Sequence, residues 1–339
     1  MRFDPEKKKA IIRYLLEKIA SGAESISMTV AKELNVSPNT VNHYIRELDE
    51  EDIITKVKRG VYELVKKEYW YELKRSEGHL DTDTYAFEAC LRPHISGFEK
   101  NVQDIWAYTF SEMTNNVMDH SEAETLVIRV EQDYLQTEVA LLDDGVGIFE
   151  KIKNHFNLPS LDEAICELFK GKLTTDAENH SGEGIFFSSK LMDTFFILSS
   201  KKVFTNNKYD HERIFDIPSD DGKGTCVLMS LSNFSHKKSR EVFDMYSNVD
   251  GGFTKTRIPM KNIFESSPVS RSQAKRVSNR LERFKEVVLD FDGIDWMGQG
   301  FAHQLFVIFR REHPEIALIT EHMNEAVEKM YLHVTNGET

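Results

Sequence analysis

Apolar positions recur every three to four residues from Lys8 to Ile19, which predicts an amphipathic helix; Met28 to Leu34 and Ser37 to Leu48 predict a second and a third. The third opens with Ser37 at the N-cap and Pro38 at the first helical position, both start signals. Asn35-Val36-Ser37 is then a tight turn between two helices. Ile53 to Leu64 breaks into two short strand-like runs around the basic turn Lys58-Arg59-Gly60. Further on, Glu138 to Leu142 reads as a buried strand and Leu161 to Phe169 as an amphipathic helix. Near the carboxyl end, helical signals (Ser270 to Phe284, Gly300 to Arg310, Asn324 to His333) alternate with strand signals at Glu286 to Phe291 and Ile316 to Thr320, which predicts a small α/β layer with a partly parallel sheet. Neither internal repeats nor low-complexity tracts interrupt these patterns.

Chemistry concentrates between residues 111 and 232, in four short motifs: Ser111 to His120, Asp143-Asp144-Gly145-Val146-Gly147-Ile148, His180-Ser181-Gly182-Glu183-Gly184, and Gly224-Thr225. As a helix, the first motif puts Glu112, Asn116 and Asp119 on one face. An Asn carbonyl suits Mg²⁺, which takes few protein ligands beside phosphate and water, and a nearby Glu can orient or deprotonate a nucleophile. Asp143 ends the predicted strand, where its carboxylate can accept from an exocyclic amine; Gly145 and Gly147 permit close backbone approach. Gly182 and Gly184 precede the helix-compatible run from Ile185 to Met192, whose free amides suit phosphate. Taken singly, each motif also fits an ordinary solvated helix face or turn.

In this order the motifs resemble the N, G1, G2 and G3 boxes of the ATP-binding domain shared by gyrase, the ninety-kilodalton heat-shock chaperones, histidine kinases and MutL (the GHKL group), over roughly residues 90 to 235. The resemblance implies a GHKL-type α/β sandwich binding ATP and Mg²⁺, with Glu112 as base and Asn116 as Mg²⁺ ligand. It further implies Asp143 on the adenine amine with Gly145 and Gly147 beside it, Gly182 and Gly184 at the phosphates, and Thr225 near adenine. Glu112 to Asn116 is particularly similar to the corresponding box of the bacterial anti-sigma-factor serine kinases. The stretch from Phe149 to His180 resembles the family's ATP lid, in which Lys172 or Lys170 is a candidate phosphate contact; ordinary exposed lysines are the alternative.

Residues 1–67 resemble a winged helix-turn-helix domain. The resemblance implies that the third helix enters the major groove with Asn39, Thr40, Asn42, His43 and Arg46, while Lys56, Lys58 and Arg59 form the wing. Residues 1–67 hold 13 Lys and Arg against 11 Asp and Glu, a net of +2 in a chain of −13, so the remaining residues carry −15 and disfavour nonspecific DNA binding elsewhere. Glu47, Asp49, Glu50, Glu51 and Asp52 set strong negative charge just past the reading helix. A winged helix used for protein binding or dimerisation is the alternative. The run from Phe291 to Gly300 resembles STAS-like domains, relatives of the anti-sigma-factor antagonists, but Met297-Gly298-Gln299-Gly300 stands where those place a phosphorylatable serine. Trp296 and Phe301 are expected in the core, and His303 fits either a surface contact or a packed position.

The fold expected is therefore α/β multidomain: a winged helix at 1–67, a charged connector at 68–89, the ATP-binding domain at 90–235 with a lid at 149–180, and a STAS-like α/β domain at 245–339. Three cysteines, Cys90, Cys166 and Cys226, lack metal-type spacing, and no run approaches the roughly 18 apolar residues of a membrane span, so a cytoplasmic setting is expected. The leading expectation for function is a transcriptional regulator in which ATP binding or hydrolysis changes DNA binding, with a regulatory protein partner at the STAS-like domain and homodimerisation as an option. Alternatives are a serine/threonine protein kinase acting on a partner and a slow ATPase. A two-component autokinase is disfavoured, because no His opens a phosphoacceptor helix and His211-Glu212-Arg213 lies in a strand-like stretch.

Overall fold

A computed structural model describes residues 4–173, 182–205, 223–247, 252–264 and 266–336. Three helices come first: α1 (Pro5–Ala20), α2 (Ile26–Glu33) and α3 (Pro38–Glu50). Asp4 caps α1 by accepting from the Lys7 amide (2.9 Å), and Ser37 caps α3 by accepting from the Thr40 amide (3.1 Å), so each start satisfies one otherwise unpaired N–H. Their apolar faces, among them Leu15, Leu16, Val30, Val41 and Ile45, close a core of their own. Strands β1 (Ile54–Lys58) and β2 (Val61–Leu64) form an antiparallel hairpin beside it.

The stretch expected to be a connector, 68–89, is ordered secondary structure. β3 (Lys67–Lys74) pairs antiparallel along its whole length with a later strand; Tyr71 and Leu73 turn inward on one face, while Trp70 on the other is exposed. Short helical turns over 83–95 lead to α4 (Lys100–Asn116), whose hydrogen bonding widens over Val117–Ser121. There follow β4 (Thr125–Gln132), β5 (Gln136–Asp143), α5 (Ile148–His155), α6 (Leu161–Lys170), α7 (Gly184–Leu191), β6 (Thr194–Ser199), β7 (Lys202–Thr205), β8 (Thr225–Ser232) and α8 (Ser239–Tyr246). The sheet runs β3-β4-β5-β8-β6-β7, every neighbouring pair antiparallel. Trp106 and Phe110 of α4, Phe149 of α5, Phe169 of α6 and Phe195 of β6 are fully buried in its core. Two stretches read from sequence, 174–180 of the expected lid and His211 to Arg213, lie outside the described residues.

The final unit is α/β. β9 (Lys255–Pro259), α9 (Arg271–Ser278), β10 (Glu286–Asp290), α10 (Gln299–His303, continuing through a wide turn to Glu312), β11 (Ala317–Glu321) and α11 (Glu325–Thr335) follow in order. The three strands lie in the order β11-β10-β9, both pairs parallel. Two expectations are corrected. The first helix ends at Ser278, since Arg280 takes a left-handed conformation that no regular helix continues through. Trp296 is 51% exposed, because the turn after β10 directs Ile294 and Met297 inward in its place, whereas Phe301 is buried as expected. Apolar side chains of this unit and of the central sheet belong to one continuous core. Among the described residues no helix is long and apolar enough to cross a membrane.

Candidate functional site

Strand register brings the motifs together. β5 pairs with β8 so that Asp143 stands opposite Thr225, which places the second and fourth motifs side by side at one end of the sheet. The Thr225 hydroxyl accepts the amide of Ile148, holding the start of α5 over that end (3.1 Å). The Val146 amide donates to the carbonyl of Ser121 (2.6 Å), which fastens the end of the first motif to the second. α7 packs on α4, so the glycine turn before α7 faces Glu112.

These elements surround a cavity of about 250 Å³. Glu112, Asn116, Asp143, Gly182, Gly184 and Thr225, all singled out from the sequence, line it. Backbone approach requires glycine at Gly182, whose φ is +72° and where a Cβ would collide with the Leu173 backbone, and at Gly224, whose φ is +73° and where one would collide with the Asp143 carbonyl; a Cβ on Gly184 would instead push the Glu112 carboxylate aside. Gly145 and Gly147 do not line the cavity; they let the loop after β5 press on the Ser121 carbonyl and the Ser199 hydroxyl.

The paired aspartates divide their work. Asp144 accepts from the amides of Glu124 and Thr125 (2.9 and 3.0 Å) and is consumed in the loop. Asp143 faces the cavity and, among the described residues, accepts from neighbouring backbone, including the Gly145 amide at 3.0 Å. Burial pushes its carboxyl up to about 6, with the charge of Asp144 adding to the effect and the amides of Gly145 and Thr225 opposing it. Burial also raises Glu183, at the start of α7, against the attraction of Lys172. The phenol of Tyr108 is raised by burial and by the charges of Glu112 and Glu183. Asn116 turns its amide nitrogen towards Met113 Sδ (4.0 Å), which leaves the carbonyl end for a cation.

Asp119 and Lys172 are not among the cavity's lining residues. Asp119 is exposed; the widened turn from Val117 breaks the regular spacing that would have kept it on the face of Asn116. Lys172 lies against Phe253 and Phe284 and donates to the carbonyl of Arg283 (3.0 Å), while Lys170 is buried against the same unit. His120, Lys151 and Phe186 line the cavity without having been foreseen. The motif containing His120 was visible, but Lys151 sits a turn into α5, beyond any motif.

In the amino-terminal unit, Asn39, Asn42, His43 and Arg46 are exposed on α3, and Lys56, Lys58 and Arg59 on and after β1. Thr40 is half-buried and engaged with the Ser37 cap (hydroxyl to hydroxyl, 2.8 Å). Asn42 is bonded to the Ser27 hydroxyl. Glu47 is paired with Lys8 (2.8 Å) and lies 3.4 Å from His43, so the first charge of the acidic run, which lies in the last turns of α3, is answered within the unit. Cys90, Cys166 and Cys226 are buried free thiols, pushed up by burial to about 11, 11 and 12.

Among family models, that of the STAS-like domain of unknown function (DUF4325) matches residues 273–328, which run from α9 into α11. The chain carries a C-terminal STAS-like domain. A comparison with curated proteins finds no match to the chain. In the STAS-like domain the turn between β10 and α10 holds Gly298, whose position a side chain would fill against the backbone of Val269. That turn therefore packs on the loop before α9.

Proposed function

We propose that the chain is an ATP-binding regulator in which nucleotide at the central cavity changes how the amino-terminal unit engages DNA. The observation that carries the reading is convergence: four motifs separated in sequence by up to about a hundred residues supply Glu112, Asn116, Asp143, Gly182, Gly184 and Thr225 to one cavity. On this reading the central sheet and helices are a GHKL-type domain and residues 1–66 a winged helix-turn-helix, the strand at 67–74 being part of the central sheet.

Asp143 suits the adenine amine: it is a half-buried acceptor at the cavity wall whose neighbour already satisfies the loop. Asn116 would hold Mg²⁺ with phosphate oxygens and water, since one amide cannot fill its coordination alone. Gly182 and Gly184 admit the phosphates at the start of α7. Bound ATP·Mg²⁺ would supply a transferable phosphoryl group and a strong negative charge at that point. The exposed Asn39, Asn42, His43 and Arg46 suit base or phosphate contact, and Lys56, Lys58 and Arg59 suit the backbone. A hundredfold change in DNA affinity requires about 2.7 kcal/mol of differential nucleotide binding between two shapes.

The test is selection of DNA fragments with the purified protein, without nucleotide, with ATP·Mg²⁺ and with a nonhydrolysable analogue. Nucleotide-dependent enrichment in wild type, lost in Asp143→Asn, is expected; enrichment indifferent to nucleotide overturns the coupling. A second reading, phosphotransfer to a partner protein, is favoured by the position of Glu112 on the cavity wall beside Gly184. Labelled phosphate appearing on a partner separates it from a binding switch. A STAS-like domain suits docking of such a partner.

A further inference from the structure

The cavity wall from Leu168 to Leu173 has two faces. Leu168, Gly171 and Leu173 line the cavity, while Lys170 and Lys172 turn the other way into the carboxyl-terminal unit. Lys170 is 1% exposed, and its ammonium donates to Glu167 Oε1 (2.6 Å), the Arg276 carbonyl (2.9 Å) and the Asn279 carbonyl (2.6 Å). All three of its donors are used, as a buried ammonium requires. Glu167 is held in turn by Asn279 (3.3 Å) and Arg280 (3.5 Å), and the Thr256 hydroxyl donates to the Lys170 carbonyl (2.7 Å).

Lys172, in a left-handed conformation, exchanges two bonds with Arg283: its Nζ donates to the Arg283 carbonyl (3.0 Å), and Arg283 Nη1 donates to the Lys172 carbonyl (3.1 Å). A second route is aromatic. Phe186 lines the cavity from α7 and packs on Phe253 (4.7 Å between rings), which packs on Phe284 (5.5 Å). The Leu173 amide donates to the Gly182 carbonyl (3.0 Å), so the clasped segment also carries the glycine turn of the third motif.

We infer that the edge of the STAS-like unit from Arg276 to Phe284 positions the cavity wall, so that ligand occupancy of the cavity and the conformation of that edge depend on each other. Lys170, Lys172 and Arg283 are the positioning residues. The Lys170–Glu167 part of this network is buried, a poor source of stability and a good source of a unique arrangement, since each partner lost leaves the other buried and unpaired; the Lys172–Arg283 pair closes it at the exposed margin. Linkage then makes the effect reciprocal: whatever binds the STAS-like unit and moves this edge changes ligand affinity by the factor by which ligand changes the binding of that partner. The inference rests on the nucleotide reading above for the identity of the ligand.

The experiment uses the full chain with ATP·Mg²⁺ as probe. Calorimetric titration gives the affinity of wild type, Lys172→Met, Lys172→Arg and Arg283→Ala, and hydrogen exchange of residues 276–284 is followed with and without ATP·Mg²⁺. Slower exchange at 276–284 on ATP addition is expected in wild type. An affinity loss of about tenfold or more is expected in Lys172→Met and Arg283→Ala, with substantial recovery in Lys172→Arg. Wild-type binding without a change in exchange, together with unchanged affinity in the variants, overturns the inference alone. Absence of ATP binding by wild type overturns the nucleotide reading and this inference with it. Lys172→Met retains the stem over Phe253 and Phe284, and its melting temperature separates lost coupling from lost folding.

Discussion

At the scale of single residues, Asp143 is where structure and chemistry pull apart. A carboxyl displaced by burial from its ordinary 3.8 to about 6 binds its proton more tightly folded than unfolded. Its contribution to stability therefore falls as pH rises between those values, by about 3 kcal/mol in all. Asp143→Asn removes the buried charge while keeping the shape. The variant is expected to melt at higher temperature than wild type at pH 8 and at the same temperature at pH 4, by calorimetric scans. ATP affinity runs the opposite way: it is expected to weaken below pH about 6 in wild type, as the acceptor is protonated, and to be lost at every pH in Asp143→Asn. A variant that binds ATP normally removes adenine recognition from this residue. Gly184→Ala tests the neighbouring contact, since the added methyl displaces the Glu112 carboxylate; any turnover is expected to fall by at least about tenfold with smaller change in ATP affinity. The polar and glycine positions of the cavity, Glu112, Asn116, Asp143, Gly182, Gly184 and Thr225, were legible because the motifs encode them directly, whereas apolar lining residues such as Ile152, Ile197 and Val227 carry no motif signal. Asp119 was misplaced because counting i, i+4, i+7 assumes regular turns, and the helix widens at Val117.

Among elements, legibility followed the local signals. Helix α3 was readable at its start because Ser37 and Pro38 each do something only a helix start needs: one supplies an acceptor and the other gives up a donor that would be unpaired. Ser37→Ala is expected to destabilise the amino-terminal unit by about 1 kcal/mol, seen as an earlier transition in urea, and Ser37→Asp to restore most of it. β3 was missed because the charges at its ends (Lys67, Glu68, Glu72, Lys74) match an exposed connector as well as an edge strand, and only pairing with β4 decides between them. β9 was missed for a related reason. Lys255 to Pro259 is short, carries two cations and ends in proline, and it becomes a strand by parallel pairing with β10, thirty-one residues on in register. Trp296 was assigned inward by size alone, yet Ile294 and Met297 flank it and fill the space.

For the whole molecule, the distribution of apolar side chains decides which parts stand alone. Leu15, Leu16, Val30, Val41 and Ile45 close a core confined to the amino-terminal unit, apart from Leu135 packed at its margin. By contrast, Phe253, Phe284 and Val277 of the carboxyl-terminal part are in one continuous core with Phe169, Phe186 and Phe195 of the centre. Removing residues 1–66 breaks few apolar contacts and leaves β3 intact, so the remaining chain is expected to fold and to bind ATP with wild-type affinity while losing DNA binding. Removing everything from Lys255 onward strips Phe284 and Val277 from the shared core and leaves the buried Lys170 without the Arg276 and Asn279 carbonyls. That fragment is expected to aggregate or to expose dye-binding apolar surface. Calorimetric scans of the intact chain should accordingly resolve two transitions, of which the one removed by deleting 1–66 is the smaller and ATP·Mg²⁺ raises the other. A single transition in which ATP·Mg²⁺ shifts the whole chain would mean that the amino-terminal unit is energetically continuous with the centre. Its coupling to the cavity would then run through Leu135 and the packing of Arg13 on Phe234.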